Sequence, residues 1–223
     1  KSQVFRVDVK NKKYVVRLLD NQEPIETRPS ELHAHKIGVK LKIAPRLFYI
    51  NQQNPLVIVM EFIDGRPFSR NDLNNREIIA KVMQAIKKFH NYPSEKCLQV
   101  QKKIELTKKF YDSYTIKNNG SFPSCFDQLL KKLQTDCVHF KRTHLSIHSD
   151  LNLDNILITE TGNVYFIDWA EARIDNPFLD IGGLACFSAA NNEQVKFLLQ
   201  EYLGRNPDES EIPYDGIDQD CSN

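Results

Sequence analysis

The feature that most constrains this chain is a short block in its second half. His148-Ser149-Asp150 is followed by Asn155, and about a dozen residues later by Asp168 within Phe166-Ile167-Asp168-Trp169. A polar loop of this spacing between two strands brings a carboxylate and an amide to a common face, and an Asp closing the next strand adds a second carboxylate. Phosphoryl transfer needs such a set, because charge spreads over the transferred group in the transition state while a carboxylate aligns the attacking hydroxyl. On this reading Asp150 receives or orients the hydroxyl proton. Asn155 and Asp168, both hard oxygen donors, hold Mg²⁺ against the phosphates of ATP. His148 is grouped with Asp150 as a catalytic-loop residue, a hydrogen-bonded support rather than an acid or base. The competing structural reading makes Asp150 and Asn155 turn caps and Asp168 a helix cap.

The pattern ahead of this block is strand, strand, helix, strand, strand. Residues 3–9 and 14–19 form a hairpin around Lys10-Asn11-Lys12-Lys13, and residues 32–41 a helix with Ser30 as N-cap and Glu31 in its first turn. Strands over 47–50 and 56–62 follow, and Asp64-Gly65-Arg66-Pro67 breaks the pattern. Beyond it, Leu73, Ile78, Ile79, Val82, Ile86 and Phe89 recur at helical spacing within 71–90, and further helices are expected within 102–114 and 126–140. A strand at 145–148, a hairpin of 156–159 with 164–167, and helices over 178–190 and 193–203 complete the chain, the last closed by Gly204. The expected class is α+β in two lobes: a nucleotide-binding lobe over 1–63, a helical catalytic and substrate lobe over 64–205, and an acidic irregular tail over 206–223. The acidic run at 215–220 lacks the spacing of a calcium loop.

Composition removes other classes. A formal charge of +1 gives no general footprint for nucleic acid or membrane, and clustered lysines read as solvated helix faces. Five cysteines without CxxC spacing favour neither a zinc site nor a disulfide framework. With no long apolar run and no signal-like start, the reading is a cytoplasmic protein.

The quoted blocks HSDLNLDN, FIDWAEA and LDIGGLA resemble, in order and spacing, the choline and ethanolamine kinase and aminoglycoside phosphotransferase superfamily, a branch of the protein-kinase-like fold. The resemblance runs from Val4 to about Gly204. It implies that Arg17 of VVRLL contacts ATP phosphates with Glu31 as its helix-borne partner. That pairing also has a physical basis, since a cation on the second strand needs a carboxylate to fix it. Glu61 to Ile63 would form the hinge that reads the adenine edge, with Met60, Leu157 and Ile167 against the ring or, equally, in the core. Only Lys1-Ser2-Gln3 precede the first strand, so the phosphate-covering segment of this family is expected to lie upstream. Ser149 stands where protein kinases carry arginine, and the interval from Asp168 to Asp180 leaves no room for a peptide platform; both favour a small acceptor. Trp169, Glu171 and Asp175, with Phe187 and Tyr202, could pair aromatic faces with carboxylates around an ammonium group, although aromatics of a helical lobe belong to the core more often than to a ligand cage. KIAPRLFYI resembles the choline kinase branch, so choline or ethanolamine is the expected acceptor; aminoglycosides and thiamine-like amino-alcohols are alternatives. A catalytically silent kinase-like module is the reading from another class.

Overall fold

The structure is a computed structural model and describes residues 3–19, 28–51, 56–93 and 145–208. It has the expected α+β, two-lobed arrangement. The helices expected within 102–114 and 126–140, and most of the acidic tail, lie outside the described residues.

Strands β1 (Gln3–Val9) and β2 (Lys12–Leu19) join through Lys10 and Asn11, both in left-handed backbone at φ 46° and 63°. Such a two-residue turn matches the natural twist of a hairpin. With β3 (Leu47–Asn51) and β4 (Leu56–Glu61) they form an antiparallel sheet in the order β1-β2-β4-β3. Pairing of Val15 with Met60 and Arg17 with Ile58 fixes which side chains share a face. Because strand side chains alternate, Arg17 and Leu19 lie on one side with Ile58 and Met60. Against that side packs Leu32 of helix α1 (Arg28–Lys40).

Helix α1 begins earlier than the sequence reading placed it. Ser30 is therefore not its N-cap; it lies inside the helix and is buried. The helix also serves both lobes. Leu32 joins the small-lobe cluster, whereas Ala34 and Ile37 belong to the larger core with Phe89, Phe166 and Trp169. His35, buried between them, makes a 2.8 Å hydrogen bond from Nε2 to the Pro45 carbonyl. At Gly38 a Cβ would stand 2.7 Å from Ala44 Cβ and 2.8 Å from Trp169 Cζ2, so the missing side chain lets the indole seat against α1.

The larger lobe is built around helix α2 (Arg76–His90), whose N-cap Asn75 accepts from the Glu77 and Ile78 amides. The helix expected over 71–90 is thus two pieces, a 3-10 turn at Arg70–Asn74 and then α2. Residues 64–67, expected as a break, include a strand, β5 (Gly65–Pro67), in a three-stranded sheet with β7 (Ile156–Thr159) and β8 (Val164–Phe166). β6 (Leu145–Ile147) pairs with β9 (Arg173–Asp175), a strand the sequence pattern did not suggest. Helices α3 (Phe178–Ser188) and α4 (Asn192–Leu203) follow, α4 opening on an Asn191–Gln194 capping box and closing at Gly204 with φ 76°. No described helix is long and apolar enough to cross a membrane.

Two outcomes follow from the α1 seam. Gly38→Ala should cost about 1–3 kcal/mol by overpacking, read as a lowered urea midpoint at unchanged slope. Burial lowers the His35 pKa from 6.5 to about 4, with the Pro45 hydrogen bond opposing the effect and the Arg17 charge adding to it. The unfolded chain therefore takes up a proton that the folded state refuses. Stability from the neutral ring is complete above about pH 6.5 and falls as pH drops toward 4, with a loss of roughly 2 kcal/mol at pH 5. His35→Gln should flatten that part of the stability profile; an unaltered slope between pH 7 and 5 would show that other groups cause it.

Candidate active site

The loop after β6 is shaped by short-range hydrogen bonds. Asn152 caps the 3-10 turn Leu153–Asn155 by accepting from the Asp154 and Asn155 amides at 3.0 and 3.1 Å, and its own Nδ2 donates to Asp150 Oδ1 at 3.1 Å. Asn155 Nδ2 donates to the Asp150 carbonyl at 2.9 Å and to Asp150 Oδ2 at 3.0 Å. Two amides thus hold the Asp150 carboxylate by its two oxygens. Because the Asn155 nitrogen faces Asp150, the oxygen of the same amide is the atom it can offer to a cation.

Asp168 reaches this cluster through the backbone, since the Ile167 amide donates to the Asn155 carbonyl at 3.0 Å. It precedes the 3-10 turn Trp169–Glu171 but makes no side-chain cap bond, and its φ of 59° is left-handed. The helix-cap reading therefore fails for Asp168. Its half-exposed carboxylate meets Arg17 Nη2 at 3.2 Å, while Arg17 Nη1 donates to Glu31 Oε1 at 2.5 Å with both of those side chains nearly buried. Arg17, Glu31 and Asp168 are one chain of charges crossing from sheet to α1 to the β8 turn.

His148 is 1% exposed. Its Nε2 donates to the Ile167 carbonyl at 3.1 Å and its Nδ1 accepts the Asp150 amide at 3.4 Å, a pattern that only the neutral ring satisfies. Burial lowers its pKa, outweighing the nearby Asp180 and Asp150 carboxylates. A sealed neutral ring donating to a carbonyl has no proton to exchange with a substrate, so the geometry of His148 is that of a support for the loop.

A deeper layer was missed in the sequence. Asp180, 1% exposed at the start of α3, accepts the Ser149 amide at 2.6 Å, the His148 amide at 2.8 Å and His90 Nε2 at 2.9 Å. Burial pushes its carboxyl up, but the His90 hydrogen bond and charge, with His148, outweigh this and hold it below the ordinary carboxylate range. In the sequence it was only a landmark of the resemblance. The available signal was a carboxylate on the apolar side of a helix beside Ile181 and Leu184. Asn152, His90 and Arg173 were also missed.

The adenine-side candidates divide. Leu157 and Ile167 are half-buried, whereas Met60 packs with Leu19, Leu32 and Ile58. Glu61 ends β4, with its carboxylate on Arg46 at 3.0 and 3.1 Å and its amide donating to the Arg46 carbonyl at 2.8 Å. Ile63, half-buried, follows it. The acceptor-side aromatics need correction. Trp169 is 1% exposed, donates from Nε1 to the Phe166 carbonyl at 3.2 Å, and lies 4.6 Å from the His148 ring and 4.8 Å from Phe89. Tyr202 is likewise buried, its hydroxyl on His90 Nδ1 at 2.9 Å. Both are buried in the core, Trp169 against His148 under the loop and Tyr202 against His90 and Phe178, so neither presents a free face to a ligand. Glu171 and Phe187 are exposed, and Asp175 is paired with Arg173 Nε at 2.9 Å.

A four-stranded antiparallel sheet with one helix, joined to a larger lobe that carries this loop, defines a kinase-like fold. The chain belongs to the phosphotransferase enzyme family, whose model matches residues 1–212. Against curated protein sequences it has no significant match. Among solved structures it is similar to a choline/ethanolamine kinase family protein from Mesorhizobium loti, with TM-score 0.73, 15% identity, and 92% of this chain and 71% of that one covered. Choline kinase LicA from Streptococcus pneumoniae gives TM-score 0.73 at 17% identity, covering 94% and 72%. The ADP-bound aminoglycoside phosphotransferase APH(2'')-Ib gives 0.68 at 16%, covering 94% and 80%.

Asp180→Asn should cost about 2–4 kcal/mol, because one of the three donors then meets an NH₂ group inside the core. Thermal unfolding should show the loss. A variant as stable as the wild type would remove Asp180 from the foundation of the loop.

Proposed function

We propose that this phosphotransferase moves the γ-phosphate of ATP to the hydroxyl of a small amino-alcohol, choline or ethanolamine first. The observation that carries the reading is the Asp150 carboxylate held by the Asn152 and Asn155 amides, with Asn155 joined by a backbone hydrogen bond to Ile167, the residue before Asp168. Asp150 accepts the hydroxyl proton as the acceptor oxygen bonds to the γ-phosphorus and the bond from that phosphorus to ADP breaks. The amides keep the carboxylate aimed at the hydroxyl as the proton is transferred. Asn155 and the Asp168 carboxylate would hold Mg²⁺. Two hard oxygen donors, one of them half-exposed, suit a cation that takes its other ligands from phosphates and water. The ion, when bound, neutralises charge on the phosphate oxygens. Arg17, fixed by Glu31, meets the phosphates, and Leu157 and Ile167 contact the ring.

Nucleotide use is supported by relatives of the same fold, LicA in complex with AMP and the ADP-bound aminoglycoside enzyme. The amino-alcohol is supported by the KIAPRLFYI segment and by the two choline or ethanolamine kinase structures at the higher TM-score.

A panel of choline, ethanolamine, aminoglycosides and thiamine with Mg-ATP tests the reading. Transfer to choline or ethanolamine is expected, with EDTA abolishing it. Asp150→Ala should lower kcat by about 10³-fold or more while ATP still binds, and Arg17→Ala should mainly raise the KM for ATP. Transfer to an aminoglycoside alone would replace the proposed acceptor. No transfer to any alcohol, with unchanged ATP binding in Asp150→Ala, would favour the silent module.

A further inference from the structure

We propose that Arg173 is a positioning residue for the Asp150 loop, acting through Ser149. Ser149 has a φ of 71°, a left-handed conformation that glycine adopts freely and serine does not. It stands between the two residues whose placement the site depends on, His148 under the loop and Asp150 at its tip. On its amide side the residue is tied to Asp180 Oδ1. On its side-chain side, Ser149 Oγ accepts a hydrogen bond from Arg173 Nη1.

Arg173 is built to make that contact. It is 2% exposed, an uncommon state for a guanidinium, and lies on β9, opposite Ile147 in the strand that leads into the loop. Asp175 Oδ2 takes its Nε at 2.9 Å, which fixes the plane of the fork. The Glu171 carbonyl lies 3.4 Å from the same Nη1. The guanidinium therefore links the segment after Asp168 to the residue before Asp150, holding a serine where its backbone would otherwise relax and rotate Asp150 away from the Asn155 amide. The consequence for turnover rests on Asp150 meeting the acceptor hydroxyl; the consequence for loop geometry does not.

Amide hydrogen exchange at His148 and Ser149, both donated to Asp180, reads the loop directly, and emission from Trp169, the sole tryptophan, packed on His148, reads it independently. In Arg173→Met the two amides should exchange about tenfold faster or more, and Ser149→Ala should reproduce this. Because glycine needs no clamp, Ser149→Gly should exchange like the wild type, and adding Arg173→Met to it should change exchange by no more than about threefold. Where transfer is measurable, Arg173→Met should lower kcat about tenfold with KM held within about twofold, and Ser149→Gly should restore it. Equal acceleration by Arg173→Met in the serine and glycine backgrounds would overturn the proposal by marking a general packing role, as would no acceleration in the serine background. If Arg173→Met does not fold, Ser149→Ala against Ser149→Gly decides, since only the first should loosen the loop.

Discussion

The Asp180 carboxylate, sealed at the start of α3, is the point from which the Asp150 loop is hung. A buried carboxylate is tolerable only when its oxygens are satisfied, and here the donors are the His148 and Ser149 amides and His90. The same requirement that keeps the charge affordable therefore fixes the backbone just ahead of Asp150. His90 in turn reaches Tyr202, so the loop, α2, α3 and α4 share one polar network within an apolar core. The network is buried, and it fixes the backbone on which Asp150 stands.

Trp169 performs the matching task on the other side. Its indole seats on Gly38 and lies against His148 and Phe89, so α1 of the small lobe is packed directly on the turn that carries Asp168. Glu31 on the same helix holds Arg17, and Arg17 meets Asp168. Sheet, helix and turn are thus coupled by one packed ring and one chain of charges. Left-handed backbone at Ser149 and Asp168 flanks this arrangement, the kind of local strain found where side-chain aim matters more than backbone comfort.

The small-lobe strands and α2 were legible because alternation and helical spacing are local signals, and the Asp150–Asn155 pair was legible because both residues lie within one short loop. Strands β5 and β9 were not. Three residues carry no period, and their existence depends on partners at 157–159 and 145–147. Ser30 resembled a cap because serine favours that position, but helix α1 begins at Arg28 with Pro29 in its first turn, where proline is favoured. Trp169 and Tyr202 looked like a cation cage for a related reason: an aromatic ring suits a binding face and a core equally well, and only burial tells them apart.

By itself, then, the sequence determined the order of strands and helix in the small lobe and the Asp150, Asn155 and Asp168 set, which follow from local spacing, while the Arg17–Glu31 pairing came from the family resemblance with charge complementarity in its support. Tertiary structure alone decided that His148 is sealed and neutral, that Trp169 and Tyr202 belong to the core, and that Asp180, His90 and Arg173 support the loop. These depend on groups brought together from α2, β9, α3 and α4, and on water being excluded from between them. Neither condition exists in the chain until it has folded.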